Sequence, residues 1–249
     1  MSFNPFSLSG KAIFVTGASS GIGKQIAISC SHMGASISIS GRNIERLQET
    51  YALLNDSSSH QMTPAELTDS DELENLVNSI DELDGAVLCA GSGVTVPVKF
   101  ASLEKFHRVF EINFFSQIEL LRLLYKKKKL KRNASVVFID SIGGTHDISL
   151  GSIIYGTSKA ALLSATKYCA QEFAQQLIRV NCICPGMVET PLIHKGTITE
   201  EQLRDDMLRY PLKRYGKPEE IAYLAIYLLS DAASWITGQD FVIDGGITI

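Results

Sequence analysis

The sequence predicts one α/β domain, in which helices cover both faces of a central parallel sheet. Short runs that are apolar throughout alternate with segments of helical periodicity, a pattern typical of strands buried on both sides. A glycine-rich turn, TGASSGIG at 16–23, follows the first run. No stretch rich in Pro, Gly or Ser divides the 249 residues, so we treat 1–249 as a single domain.

Each element is predicted from its own pattern. AIFVT at 12–16 is a short apolar run, and the turn after it leads into a helix with Ile22, Ile26 and Ala27 on one side. Further strands are predicted at 36–40, 85–91, 134–140, 179–186 and 240–246, and further helices at 46–54, 103–131, 153–177 and 219–230. Along 153–177 an apolar residue recurs at every fourth position, which predicts the face packed on the sheet: Ala161, Ala165, Cys169, Phe173 and Leu177. The alternation predicts a doubly wound domain of the Rossmann type.

Composition narrows the classes of function. A net charge of −4 gives no electrostatic basis for binding nucleic acid. The N-terminal segment lacks the pattern of a signal peptide, and no run of 18 apolar residues predicts a membrane span. The five histidines form no metal motif, and the cysteines show neither CxxC pairs nor a disulfide framework: Cys30, Cys89, Cys169, Cys182 and Cys184. We expect a reduced, cytoplasmic, metal-free protein, with Cys182 and Cys184 as small buried side chains on one face of a strand.

The glycine-rich turn predicts a dinucleotide site. Gly17, Gly21 and Gly23 follow the first strand in the register GxxxGxG rather than the more usual GxGxxG. Glycines permit a tight strand-to-helix turn and let backbone N–H groups approach a pyrophosphate at the positive end of the next helix.

The end of the second predicted strand indicates which dinucleotide binds. An acidic residue there would hold the ribose 2′-OH of NAD, but Ser40, Gly41, Arg42 and Asn43 follow instead. The planar, permanently charged guanidinium of Arg42 suits the 2′-phosphate of NADP. The alternative is a solvated surface arginine.

Two segments place a tyrosine four residues before a lysine, so that both side chains share one face of a helix. They are YGTSK at 155–159 and YKKKK at 125–129. In such a pair the phenol of the tyrosine could donate a proton, while the ammonium of the lysine adjusts the acidity of that phenol. Spacing alone does not choose between Tyr155 and Tyr125.

Further motifs follow the glycine-rich turn in the order of a known enzyme family. They are INFFS at 112–116, FIDSIGG at 138–144, YGTSKAAL at 155–162 and NCICPGMVETPL at 181–192. With them the chain resembles the short-chain dehydrogenase/reductase family along essentially its whole length. Residues 214–246 resemble the C-terminal part of the family's ketoacyl-carrier-protein reductases and of related sugar or polyol dehydrogenases. The resemblance implies a nicotinamide-dependent oxidoreductase, usually a homotetramer.

The resemblance also implies the site residues. Four of them would carry the reaction: Asn113, Ser141, Tyr155 and Lys159. A larger set would hold the cofactor: Gly17, Ser19, Ser20, Gly21, Ile22, Gly23, Arg42, Glu66, Ala90, Gly91, Tyr155, Lys159, Pro185, Gly186, Val188 and Thr190. Tyr155 follows a strand-end serine by fourteen residues, whereas Glu111 stands fourteen residues before Tyr125. We therefore interpret Tyr155 as catalytic, and the lysines after Tyr125 as cations that stabilise a helix C-terminus.

Three departures from the family pattern stand out. The family's Asn-Asn-Ala-Gly is replaced by Leu-Cys-Ala-Gly at 88–91, which removes side-chain support for the sheet but leaves the backbone approach to the cofactor. The acid expected at the adenine is Glu66 rather than Asp. The interval from Ser141 to Tyr155 is one residue longer than in common members, which alters the loop at 145–150 and the substrate pocket.

The Tyr–Lys pair is energetically sufficient for acid–base catalysis. A free tyrosine has a pKa near 10, whereas a pKa near 7 suits an acid–base catalyst, and this difference corresponds to about 4 kcal/mol. The attraction between a phenolate and a lysine ammonium ~4 Å away, at an effective dielectric of ~20, also amounts to about 4 kcal/mol. Tyr155 would protonate the carbonyl oxygen of the substrate, Ser141 would orient that oxygen, and Lys159 would lower the tyrosine pKa. As the resemblance implies, Lys159 also holds the nicotinamide ribose, and Asn113 anchors a water relay through Lys159.

The leading hypothesis is an NADPH-dependent ketone reductase acting on 3-oxoacyl groups of an acyl carrier protein. A sugar, polyol or steroid alcohol dehydrogenase is the alternative within the same chemistry, and a non-catalytic NADP-binding sensor or scaffold is the alternative of another class. Substrate identity is expected to depend on 92–98, 145–150 and 187–215, the last predicted to be a mobile lid. The basic run YKKKKLKR at 125–132 is either a solvated helix end or a docking surface for an acidic carrier protein. The family's carrier-protein reductases have basic residues at two positions that dock the carrier protein. Arg132 matches one of these positions, whereas the other falls at Gln176, which is not basic.

Overall fold

The computed structural model describes residues 4–249 except 57, 192 and 194–198. Its sheet has seven strands in the order β3-β2-β1-β4-β5-β6-β7, and every neighbouring pair is parallel. The strands are β1 (Ala12–Val15), β2 (Ser36–Ile39), β3 (Gln61–Met62), β4 (Leu83–Leu88), β5 (Leu130–Ile139), β6 (Arg179–Pro185) and β7 (Asp240–Ile243). The predicted parallel sheet is therefore confirmed.

The helices lie on both sides of this sheet. They are α1 (Gly21–His32), α2 (Ile44–Tyr51), α3 (Ser70–Ser79), α4 (Leu103–Phe110), α5 (Ser116–Lys126), α6 (Ile153–Phe173), α7 (Glu200–Arg209) and α8 (Pro218–Leu229). In the part of the chain described, no helix is long and apolar enough to cross a membrane.

Of the three apolar clusters among the described residues, the two large ones pack on the sheet, one on each face. Alternate residues of β5 divide between them: Val136 and Phe138 join the cluster with α3, α5 and α6, while Val137 and Ile139 join the one with α1, α2 and α8. Period-2 alternation sends successive side chains to opposite faces, so a strand that is apolar throughout is buried on both. The clusters explain the predicted doubly wound architecture.

The predicted helix 103–131 is wrong as one element. It consists of α4, a π-helical turn over Glu111–Phe115, and α5, and the chain is already in β5 at Leu130. Lys128 adopts a left-handed backbone (φ +56°) that ends the helix. The basic run thus spans a helix end, a turn and the start of a strand.

The predicted apolar stripe of the 153–177 helix is also corrected. Ala161, Ala165 and Cys169 are half-buried, and Leu177 lies beyond α6 in a left-handed turn with half its surface exposed. A four-residue spacing drifts around a helix of 3.6 residues per turn, so one face cannot hold all five positions. The buried face of α6 instead includes Ile154, Ser158, Leu162, Thr166, Ala170 and Phe173.

Among the described strands and α-helices, β3, α3 and α7 had no sequence prediction. The carboxylate of Asp69 caps α3 by accepting from the backbone N–H of Asp71 and Glu72. Thr199 and Gln202 form a capping box at the start of α7. Helix α7 lies in the segment predicted to be a lid; residues 192 and 194–198 of that segment are outside the described residues, and its mobility stays a prediction.

Candidate active site

A cleft of about 340 Å³ opens at the carboxyl ends of the strands. The strand order reverses between β1 and β4, and the loops that follow these two strands line the cleft. In open α/β sheets, ligands bind at this switch point.

The glycine-rich turn forms one wall of the cleft. Gly17 has φ +65°, and a Cβ on it would lie 3.0 Å from the backbone nitrogen of Ala90. A Cβ on Gly23 would lie 2.5 Å from the carbonyl oxygen of Gly17, so only glycine fits there. Ser20 precedes α1 without a capping side-chain hydrogen bond. The side chain of Ser20 therefore does not cap the first backbone N–H groups of α1, which lie beside the cleft. Such N–H groups can donate hydrogen bonds to a diphosphate.

The segment after β4 faces this turn and depends on two side chains that sequence reasoning missed. The Thr16 hydroxyl accepts from the backbone N–H of Cys89 at 3.0 Å and of Ala90 at 3.3 Å. The Gln117 amide donates to the carbonyl of Ala90. These bonds hold Ala90 and Gly91 at the cleft although the family's asparagines are absent.

Two arginines lie at the end of the cleft formed after β2. Arg42 lines it with 67% of its side chain exposed, and its Nη1 lies 3.3 Å from Oε2 of Glu66. Arg46, which sequence reasoning missed, lines the same end from the first turn of α2. Its position three residues after the N-cap Asn43 could have indicated it. Two guanidiniums at this place can hold a dianionic phosphate.

The PG-x-x-x-T segment contributes less to the cleft than expected. Thr190 lines it, and its Cγ2 would lie 3.2 Å from a Cβ on Gly21, so Thr190 contacts the glycine-rich turn. Pro185, Gly186 and Val188 are not among the lining residues. Val188 instead forms a parallel bridge with Gly216.

Tyr155 and Lys159 project from the first turns of α6 and line the cleft. Lys159 is 5% exposed, its Nζ donates to the carbonyl of Ile139 at 2.8 Å, and it lies 6.0 Å from the centre of the Tyr155 ring. This hydrogen bond fixes the ammonium between the end of β5 and the phenol.

Ser141 is the second residue after β5, and close backbone packing brings its loop to the start of α6. A Cβ on Gly156 would lie 2.5 Å from the carbonyl oxygen of Gly143, so this loop sits directly on α6. The hydroxyl of Ser141 accepts from the backbone N–H of Gly143 at 3.1 Å. A Cβ on Gly143 would lie 3.4 Å from Ser141 Oγ and 3.8 Å from Cε1 of Tyr155, which shows how near the two side chains come.

Asn113 lies in the π-helical turn and is fully buried. Its Nδ2 donates to the carbonyl of Ser92 at 2.9 Å and to the hydroxyl of Ser158 at 3.0 Å, and its Oδ1 accepts from the backbone N–H of Ser92 at 2.8 Å. The side chain therefore joins the loop after β4 to α6, next to Lys159. π-helical turns within α-helices are frequent at functional sites.

Asp140 is a further site residue that sequence reasoning missed. It lines the cleft between Ile139 and Ser141, is 5% exposed, and its Oδ1 has no hydrogen-bond partner among the described residues. Burial raises the pKa of Asp140 to about 7, although Lys159 and the backbone N–H of Ser141 act to lower it. The sequence signal was an acid at the end of an otherwise apolar run, directly before the candidate serine.

Cys182 and Cys184 are fully buried on one face of β6, as predicted, with their sulfurs 3.9 Å apart. Burial also raises the pKa of Cys89 to about 12. Donor atoms of Asp140, Cys182 and Cys184 lie within 4.8 Å of one another. The absence of a metal stays a prediction.

Tyr125 has a structural environment outside the cleft. Its ring stacks on Phe173 with centroids 4.0 Å apart, and its hydroxyl accepts from the Gln176 amide at 2.9 Å.

Several lysines of the basic run contact other elements of the fold. Lys127 forms an ion pair with Glu74 on α3, and Lys131 forms one with Asp84 on β4. Lys129 donates to the carbonyl of Ile80. Three exposed cations, Lys126, Lys128 and Arg132, have no ion-pair partner in the described part of the chain; we call them the basic surface.

Comparison with known proteins agrees with this geometry. A family model described as enoyl-(acyl carrier protein) reductase matches residues 17–248. The chain belongs to the short-chain dehydrogenase/reductase family. It is 34% identical over 241 residues to a 3-oxoacyl-[acyl-carrier-protein] reductase of Rickettsia conorii, covering 96% of this chain and 98% of the relative. A tropinone reductase homolog of Arabidopsis thaliana is 32% identical, with 98% and 94% covered.

Solved structures extend the likeness. The RhlG/NADP active-site complex of Pseudomonas aeruginosa superposes with a TM-score of 0.91 at 29% identity, over 99% of this chain and 100% of that one. This short-chain dehydrogenase/reductase is thus an oxidoreductase that interconverts CH–OH and C=O groups with a nicotinamide cofactor.

Proposed function

We propose that this short-chain dehydrogenase/reductase reduces a ketone to a secondary alcohol with NADPH, and that its substrate is a 3-oxoacyl group on an acyl carrier protein. The observation that carries the proposal is that Tyr155 and Lys159 line the same cleft as the glycine-rich turn and Arg42. The relative from Rickettsia conorii supports the substrate class.

Three features of the cleft support NADP as the cofactor. The close approach of Gly17 to Ala90 leaves no room for side chains where the diphosphate would lie, and the uncapped start of α1 would face it. Arg42 and Arg46 would hold the 2′-phosphate, and Glu66 would border the adenine. The lining residues assigned to the rest of the cofactor are Ser19, Ser20, Gly21, Ile22, Gly23, Ala90, Gly91, Thr190, Tyr155 and Lys159. Pro185, Gly186 and Val188 are assigned to it by the family resemblance alone, since they do not line the cleft.

The chemistry follows from four side chains. Bound NADPH supplies the hydride, which no side chain can deliver. Tyr155 donates a proton to the oxygen of the substrate carbonyl while Ser141 orients that oxygen. The ammonium of Lys159, fixed by the carbonyl of Ile139, stabilises the negative charge that develops on the oxygen of Tyr155 as the proton leaves. Asn113 holds the loop beside Lys159 and would support proton resupply.

Arg42→Ala is expected to weaken NADPH binding at least about tenfold and to leave NADH binding little changed, since a charged hydrogen bond to the 2′-phosphate is worth roughly 1.5–3 kcal/mol. Dissociation constants from fluorescence titration test this. Arg122→Ala, which removes another exposed arginine with a Glu partner, is the matched control. An equal loss for both cofactors would mean that Arg42 does not contact the phosphate.

The substrate is tested by comparing a carrier-linked and a free substrate. Replacing Lys126, Lys128 and Arg132 with Ala is expected to lower kcat/KM for a 3-oxoacyl carrier protein at least about tenfold and to weaken its salt dependence, because charged surfaces accelerate encounter. Reduction of a small acetoacetyl thioester should be unchanged. Lys129 is left intact because it holds the carbonyl of Ile80.

An equal response of the two substrates would favour a sugar, polyol or steroid alcohol dehydrogenase, an alternative that the tropinone reductase homolog supports. Turnover of no ketone in a substrate panel would favour the NADP-binding sensor or scaffold. The homotetramer and the cytoplasmic location stay predictions; a monomeric mass by light scattering would contradict the first.

A further inference from the structure

We propose that Glu66 competes with the 2′-phosphate of NADP for the guanidinium of Arg42, and so narrows the preference of this enzyme for NADPH over NADH. This inference rests on the proposed function, in which Arg42 holds that phosphate. It makes Glu66 a specificity-determining residue, because its carboxylate acts against one cofactor and not against the other.

The backbone brings Arg42 and Glu66 together. Strands β2 and β3 are parallel neighbours, and the two residues lie in the segments that follow these strands. The N–H of Ala65 donates to the carbonyl of Gly41 at 3.4 Å, which joins the two segments. The next residue of each segment, Glu66 and Arg42, therefore lies at the same end of the cleft, and both side chains line it.

The carboxylate of Glu66 is held where it meets Arg42. Its Oε2 lies 3.3 Å from Nη1 of Arg42, and its Oε1 accepts from the backbone N–H of Thr68 at 3.3 Å. The backbone N–H of Glu66 donates to the carboxylate of Glu72 at 2.7 Å. Glu66 is thus restrained through both its side chain and its backbone, so the carboxylate stays beside the guanidinium.

The two arginines at this end of the cleft differ in their partners. In the described part of the chain, Arg42 forms an ion pair with Glu66, whereas Arg46 belongs to none of the ion pairs. A phosphate oxygen lies about 2.7–2.9 Å from a guanidinium nitrogen that binds it. At Arg42 such a phosphate would therefore be the second anion on one guanidinium.

Two effects of Glu66 on this phosphate have the same sign. The carboxylate occupies an N–H group of Arg42 that the phosphate could otherwise use, and its negative charge repels a dianion bound to the same guanidinium. The ribose 2′-OH of NADH carries no charge, so neither effect applies to it. Glu66 therefore weakens the binding of NADPH and leaves that of NADH unaffected.

Glu66→Gln tests the proposal because the amide keeps the size of the side chain and one oxygen acceptor but removes the charge. At neutral pH and low salt we expect the dissociation constant for NADPH to fall about fivefold, or about 1 kcal/mol at 1.4 kcal/mol per factor of ten, while that for NADH changes by less than about twofold. Fluorescence titration of the two reduced cofactors measures both constants without turnover. The gain should shrink at about 1 M salt, where the screening length falls to about 3 Å.

Second substitutions locate the effect. In an Arg42→Ala background, Glu66→Gln should change the NADPH constant by less than about twofold, because the contested guanidinium is gone. In an Arg46→Ala background the gain of about fivefold should remain, since Arg46 has no part in the competition. Glu119→Gln removes a carboxylate from another exposed ion pair, 2.6 Å from Arg122, and should change neither constant.

Three results would overturn the proposal: an NADPH constant that is unchanged or raised in Glu66→Gln, an equal change for both cofactors, or a gain that survives in full without Arg42. Failure of the proposed NADP preference gives a different result, in which Arg42→Ala weakens the binding of NADPH and NADH alike. A selective Arg42→Ala variant together with a silent Glu66→Gln variant would contradict the role of Glu66 alone.

Discussion

Tyr155→Phe is expected to lower kcat at least about a thousandfold and to leave the dissociation constant for NADPH nearly unchanged. The phenol hydroxyl is the proposed proton donor, and a positioned general acid contributes typically 10²–10⁴-fold. The ring, its place on α6 and the hydrogen bond between Lys159 and Ile139 all remain in the variant. Single-turnover kinetics and fluorescence titration of NADPH measure the two quantities separately.

The matched control is Tyr125→Phe, which removes the same hydroxyl from the other Tyr–Lys pair. It loses one hydrogen bond from Gln176 and keeps the stack on Phe173, so kcat should be unchanged and the free energy of unfolding should fall by about 1 kcal/mol. Wild-type activity in Tyr155→Phe would remove Tyr155 from the mechanism. A parallel loss of NADPH affinity would mean that the hydroxyl serves the cofactor.

The parts of this fold that the sequence predicted are those in which one local pattern has one physical cause. Apolar runs such as 134–140 must be strands buried on both faces, and β5 lies there with its side chains divided between two core clusters. The glycines at 17 and 23 were predictable because close backbone approach excludes every side chain. The two-residue strand β3 is too short to show the alternation of side chains that would predict a strand.

The parts that the sequence could not predict depend on contacts between distant residues. The periodicity across 103–131 reflects only the spacing of apolar residues. The π-helical turn at Asn113 interrupts the helix where that side chain forms hydrogen bonds to Ser92 and Ser158, which are distant in sequence. The basic run looked like free charge because Glu74 and Asp84, which bind two of its lysines, lie far away in sequence. Likewise, an aspartate at a strand end looks exposed until α6 and β6 enclose it.

The burial of Asp140 has a measurable consequence for stability. The folded protein raises the pKa of Asp140 from an ordinary 3.8 to about 7, chiefly through burial. Between these values the folded chain keeps a proton that the unfolded chain has lost, so the contribution of Asp140 to stability is complete below about pH 4 and is lost as the pH rises through about 7. At 1.36 kcal/mol per pKa unit, the loss amounts to roughly 4 kcal/mol.

Asp140→Asn cannot ionise, so this loss should disappear in the variant. The free energy of unfolding of the variant minus that of the wild type is expected to increase by roughly 4 kcal/mol between about pH 4 and pH 8, most steeply from about pH 5 to 7. Urea denaturation of both apo proteins at each pH measures the difference, in which the titrations that the two proteins share cancel. Asp84→Asn, with its carboxylate paired to Lys131, should show no such rise. A difference that stays constant from pH 4 to pH 8 would mean that Asp140 is ionised throughout, and that the ammonium of Lys159 compensates its burial in full.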